Sequence, residues 1–172
     1  RIFIILVVFS LTLQSCFKSI YEPKLGNYRA EMITKDGSIL PFKFELLKVS
    51  NQLTMKVKND KETLLYDQIE YEGDSIRIYM HPFDAVIIAK AEDGFLKGRY
   101  LKEESGKETP FKAIISDAPK FESSKKANLN LNGKFRTVFR PEKPYPGLGV
   151  FTQKGNQVSG TFMKNSGDTR FL

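Results

Sequence analysis

Tryptophan is absent from this 172-residue chain, and cysteine and histidine occur once each. Each shortage removes a class of chemistry. A lone cysteine, Cys16, permits no internal disulfide, no zinc-finger cluster and no Cys-x-x-Cys redox pair. A lone histidine, His81, leaves neither a transition-metal cluster nor a Ser-His-Asp or Cys-His nucleophile system to assemble. His81 lies in "MHPFD", after a strand pattern and before Pro82, and reads as a loop-edge residue. Without tryptophan, the 14 Phe and 7 Tyr are the main large residues available to a core. No stretch carries a convincing amphipathic-helix pattern.

Carboxylates are plentiful, but their placement is not that of a site. Asp67, Glu70, Glu72 and Asp74 crowd into "YDQIEYEGDS". Period two puts Glu70, Glu72 and Asp74 on one strand face and Asp67, Ile69 and Tyr71 on the other. Such a row reads as a solvated face rather than a glycosidase pair, and it lacks EF-hand spacing. Gly147 and Gly149, in the proline-rich "RPEKPYPGLG", do not follow a strand and open a helix, so phosphate cradling is unsupported. That segment reads as a rigid loop displaying Tyr145. No catalytic, cofactor-binding or metal-binding residue is assigned, and no cofactor is implied for the residues present.

What the chain does have is alternation. "PFKFELL" sets Phe42, Phe44 and Leu46 against Lys43 and Glu45, and "QLTMKVK" sets Leu53, Met55 and Val57 against Thr54, Lys56 and Lys58. "SIRIYMH" repeats the pattern with Ile76, Ile78 and Met80, and "PFKAII" with Phe111, Ala113 and Ile115. This is the signature of half-buried strands. Turn formers separate the runs: "KDGS", with its Asp36-Gly37 hairpin signal, then "KND", "EGDS", "EDG", "ESGK" and "KGN". Short strands so spaced predict an all-β antiparallel meander forming a barrel or curved sandwich. Residues 26–115 form a first β module, 116–129 ("SDAPKFESSKKANL") a linker or loop, and 130–172 the start of a second module. "SGDTRFL" opens a strand and then stops, and the chain begins on Arg rather than Met. Both read as marks of a piece of a longer protein, truncated in the second module.

A faint internal echo links the two modules. "GNYRAEM" at 26 parallels "GKFRTVF" at 133, and "GFLKGRYL" at 94 parallels "NQVSGTFM" at 156, aligning Gly98 with Gly160 and Tyr100 with Phe162. Glycine at such positions predicts bends in curved strands.

The greasy start is "IFIILVVFSLTLQSC". Ile2–Leu13 is too short to span a bilayer, which takes roughly 20 apolar residues. Arg1, Ile2–Leu13 and Ser15 fit the basic, apolar and small-residue parts of a secretory signal. "LQSC" then resembles the cleavage and acylation signal of bacterial lipoproteins. That resemblance implies a signal peptide over 1–15, lipidation of Cys16 and a tether over 16–25. The body is then held by a lipid anchor to a bacterial membrane, outside the cytoplasm and on the periplasmic side of the envelope. Two or more acyl chains hold stably where one holds weakly. Loss of Arg1 with the signal lowers the formal charge from +7 to +6. Lys and Arg are scattered, so nucleic acid is not the expected partner. Plain solubility is the simplest reading of the charge, and attraction to an anionic membrane surface the next.

The run "GVFTQKGNQVSGTFMKNSGDTRFL", residues 149–172, resembles a segment of redoxin or TlpA-like lipoproteins, in which a β-rich region precedes a thioredoxin-fold domain. The matching residues are Phe151, Gln153, Gly155-Asn156, "GTF" at 160–162 and "GD-x-R-x-L" at 167–172. "GDSIRIYMHPFDAVI" is similar to the same family, and Thr169 departs from it where an aromatic is expected. The resemblance implies that this chain is a non-catalytic spacer or docking module. Any thiol-disulfide oxidoreductase activity belongs to a C-terminal thioredoxin-like domain, and that domain or an envelope protein is the expected partner of this module. The alternatives are a calycin-like lipoprotein barrel holding a small apolar ligand, prompted by Gly26-x-Tyr28 and many Phe, and a purely structural envelope lipoprotein.

Overall fold

The computed structural model describes residues 22–59, 62–140, 142–167 and 169–171. The chain is all-β, as the alternation predicts; among the described residues the only helical element is a 3₁₀ turn at His81–Phe83. The first nine strands are β1 (Gly26–Ile33), β2 (Ile39–Val49), β3 (Gln52–Asn59), β4 (Glu62–Tyr66), β5 (Ile69–Glu72), β6 (Ser75–Met80), β7 (Ala85–Glu92), β8 (Phe95–Lys102) and β9 (Lys107–Ile115). They form one antiparallel sheet in the order β4-β3-β2-β1-β9-β8-β7-β6-β5. The sheet curls until its two edges, β4 and β5, approach each other.

These edge strands are neighbours in sequence, separated only by Asp67 and Gln68. Following the antiparallel pairings round the sheet, β4 and β5 run in the same direction. They are two halves of one strand broken at Asp67-Gln68, and the barrel is in effect an eight-stranded up-and-down meander with an unsealed seam. Only isolated bonds cross near the break: the Tyr79 amide donates to the Gln68 carbonyl at 3.1 Å, and the Gln52 side-chain amide to the Asp67 carbonyl at 2.8 Å.

Inward side chains meet in one apolar cluster that includes Tyr28, Phe44, Leu46, Met55, Ile76, Ile78, Ile87, Leu96 and Phe111. An eight-stranded barrel has an interior just wide enough for side chains to fill. Tyr28 stacks on Phe44, ring centroids 5.0 Å apart and planes 1° from parallel. Burial pushes the Tyr66 hydroxyl up to about 12; among the described residues it has no hydrogen-bond partner.

Two strands depart from simple alternation. Thr54, read as facing water, is buried opposite Leu47 on the outer side of β3. In β7 the run Ala85–Ala89 is buried on both faces. Its outward Val86 lies between Tyr79 and Leu101 in the register, and Ile88 between Arg77 and Arg99, so bulky neighbours flank both.

The prolines obey the ladder. Pro41, Pro110 and Pro146 all sit inside strands, each where its strand is paired on one side only. A residue without an N–H is tolerated there.

Residues 133–171 form a second antiparallel sheet of four strands: β10 (Gly133–Phe139), β11 (Tyr145–Lys154), β12 (Gln157–Lys164) and β13 (Thr169–Phe171), in that order. The second half of the proline-rich segment read as a loop is therefore strand: Tyr145, Gly147 and Gly149 belong to β11. The cause is aromatic packing. Phe139, Phe151 and Phe162 lie across the glycines, and a Cβ on Gly147 would meet the Phe139 ring at 2.4 Å and one on Gly160 the Phe151 ring at 2.4 Å. Phe151 and Phe162 meet edge to face at 5.4 Å. These glycines make room for rings. Strand pairs that pack extensively all lie within one sheet or the other.

The connection between the sheets is tied down by hydrogen bonds at both ends. On the barrel side, Ser116 N–H donates to the Asn27 carbonyl at 2.9 Å, and Lys43 reaches the Asp117 carbonyl at 3.1 Å. On the other side, Gln153 accepts from the Leu131 N–H at 2.7 Å, and Asn156 accepts from the Ala127 N–H at 2.7 Å.

Candidate functional site

The outer face of β1, β9, β8 and β7 carries five cations interleaved with the carboxylates Glu31, Glu92 and Glu108. Period two turns Arg29 and Glu31 of β1, Lys112 and Ile114 of β9, Phe95, Lys97 and Arg99 of β8 and Lys90 of β7 outward. The antiparallel register then sets Glu31, Lys112, Lys97 and Lys90 side by side in one row across four strands. Beside that row, Arg29, Glu31, Phe95, Lys112, Ala113 and Ile114 line a shallow cleft of about 270 Å³.

Glu31 is the hub. Its carboxylate takes Lys112 Nζ at 2.8 Å and Arg29 Nη1 at 2.5 Å, and its side chain is only 14% exposed. The hydrogen bond from Lys112, followed by that from Arg29, holds the Glu31 carboxyl below its ordinary range. A group lowered in the folded state stabilises the fold above its unfolded pKa, about 4.3 for glutamate. That contribution is lost as pH falls through the folded value. The wild-type stability should therefore decline below about pH 4.3 more steeply than that of a Glu31→Gln chain. Urea midpoints measured between neutral and acid pH test this; parallel curves would show that Glu31 carries no proton linkage.

Where the chain enters the barrel it is held close to the wall. Pro23 is buried, the Tyr28 hydroxyl donates to the Lys24 carbonyl at 2.8 Å, and Lys24 Nζ pairs with Asp93 at 2.5 Å. Asp93 sits in the turn leading into Phe95. An exposed ion pair of this kind adds little stability, so the buried proline and the tyrosine hydrogen bond fix the position.

The acidic row resolves into separate partners. Glu72 binds Arg77 at 2.7 Å and Glu70 accepts from the Tyr79 hydroxyl at 3.1 Å. Asp74, expected on the same strand face, lies instead in the turn after β5 and pairs with Lys90 at 2.6 Å. His81 opens the 3₁₀ turn; it is exposed, stacks on Tyr79 at 5.9 Å and lies 2.7 Å from Gln68 Oε1. No group of three metal-ligating side chains occurs among the described residues.

Cys16 and the signal segment lie outside the described residues, and so do Asp168 and Leu172 of the "GD-x-R-x-L" motif. Other residues of that resemblance have visible structural roles: Gln153 and Asn156 hold the connection, and Phe151, Gly160 and Phe162 build the aromatic face. The lysine row was not singled out from sequence, because its members are 7 and 15 positions apart and only the sheet register brings them together. Among the described residues no helix is long and apolar enough to cross a membrane. No protein-family model matches the chain, and no curated protein is similar to it.

Proposed function

We propose that this chain is the β-rich, non-catalytic part of an envelope lipoprotein, fastened to a bacterial membrane through lipid on Cys16 and holding its barrel just outside that membrane. The observation that carries this reading is the apolar run Ile2–Leu13 closed by Leu13-Gln14-Ser15-Cys16, the sole cysteine of the chain. In the proposed whole protein, a thioredoxin-like domain does the thiol chemistry and the β body serves as spacer or docking module. The absence of any second cysteine agrees with that division of labour.

The test is metabolic labelling with an alkyne fatty acid, followed by envelope fractionation. The native chain should carry the label and fractionate with membranes. Cys16→Ala should lose the label and the mature, membrane-held form. Equal labelling of the two chains would overturn the anchor. The redox kinship is tested separately by reading the gene past Leu172: a thioredoxin-fold segment with two close cysteines supports it, and a stop codon there sinks it.

A small-ligand barrel of the calycin type is the second reading, favoured by the up-and-down meander that opens on Gly26-x-Tyr28. Against it stand the inward rings of Tyr28, Phe44 and Phe111, which occupy the barrel interior where such a ligand would lie.

A further inference from the structure

The lysine row is electrostatically unfavourable as it stands. Lys90, Lys97 and Lys112 face one another directly on three adjacent strands, an arrangement that destabilises a sheet. The outer two have carboxylates, Lys90 with Asp74 and Lys112 with Glu31. Lys97, between them, is exposed and has no counter-charge among the described residues. Just beyond the row, toward the end of the barrel where the chain enters, Phe95 is 51% and Ile114 41% exposed. A row of cations edged by apolar side chains fits an interface in which anionic headgroups overlie hydrocarbon.

We propose that this wall docks on the anionic lipid headgroups of the membrane that holds Cys16, with Lys97 at the centre of the contact and Phe95 and Ile114 at its apolar edge. The proposal rests on the anchor reading above. The length of the leash selects the membrane over other anionic partners. Lys24 is held at the wall by the Tyr28 hydroxyl and lies against Asp93, beside Phe95, and the eight residue steps from Cys16 to Lys24 reach about 29 Å at most. The wall is therefore confined near the bilayer by its own attachment. Attraction between lysines and headgroups acts over about 8–10 Å at ordinary ionic strength, a distance that lies within the reach of the leash.

Because the chain has no tryptophan, a single introduced one reports its own surroundings. The acylated full chain carrying Phe95→Trp is reconstituted into vesicles of brominated phosphatidylcholine, alone or mixed in equal parts with phosphatidylglycerol. A second chain carries Leu40→Trp, at the opposite end of the barrel. In the mixed vesicles the Phe95→Trp chain should shift to the blue and be quenched, while the Leu40→Trp chain should not. Adding Lys97→Glu should lower the docked-to-undocked ratio by about tenfold or more, since each unit charge at such a surface contributes roughly a fivefold factor. The same substitution should raise the thermal midpoint, because it relieves the like-charge row. A purely structural lysine would not show that split. Equal quenching at the two positions, or equal quenching without phosphatidylglycerol, would overturn the docking wall. Intact mass decides which reading fails: acylated protein with no quenching sinks the wall alone, and protein without acyl mass on Cys16 sinks the anchor and the docking together.

Discussion

Gly98→Ala is expected to destabilise the barrel by about 3 kcal/mol or more, because overpacking that forces backbone apart lies at the upper end of core substitutions. A methyl group at Gly98 would sit 1.9 Å from the Ile88 carbonyl oxygen and 2.7 Å from the Ala89 Cα. Neither obstacle is a flexible side-chain tip, so strand β8 must move off β7. For a module of this size that corresponds to a fall in melting temperature of roughly 12 °C or more. Thermal unfolding followed by far-ultraviolet circular dichroism measures it, and a midpoint within a degree or two of wild type would show that the strands do not approach so closely. The aligned Gly160 has the same relation to its neighbour: a Cβ there would lie 2.4 Å from the Val150 carbonyl oxygen. The two sheets thus share one local device, a glycine over which the preceding strand's carbonyl passes.

Tyr28→Ala should cost about 3–5 kcal/mol, the usual range for removing a fully buried aromatic ring. Tyr28 is fully buried, and the change removes its stack on Phe44 together with its hydrogen bond to the Lys24 carbonyl. Tyr28→Phe separates the two losses: it keeps the ring and deletes only the hydroxyl, for about 1 kcal/mol. Urea unfolding of the three chains decides between them. If the two substitutions cost the same, the hydroxyl rather than the ring is what matters, and the entry segment depends on it more than the packing implies.

The parts of the fold legible in the sequence are those where one side of a strand faces water. "PFKFELL" gave its faces away because Phe44 and Leu46 are buried and Glu45 between them is not. Strand β7 hid itself by the opposite property: apolar on both faces over Ala85–Ala89, it shows no alternation. The start of β11 was obscured by its own glycines and prolines, which signal turns when read singly. Their reason for being in strands is a set of rings contributed by residues up to 13 positions away. The lysine wall was illegible for a different reason. It is made by register between three strands, and register is a property of pairing that no local window contains.

The strand order also constrains how the barrel forms. Each ladder in the barrel joins strands adjacent in sequence except one, β1 with β9, so nearly every contact closes a short loop and can form early. Uniting Tyr28–Met32 with Phe111–Ile115 is the one long-range step, and long-range pairing is what slows folding. Weakening that clasp should slow folding if it forms at the rate-limiting step, while lesions in the local hairpins would mainly speed unfolding. The first strand made is thus held open for the last, and the barrel waits on the arrival of β9.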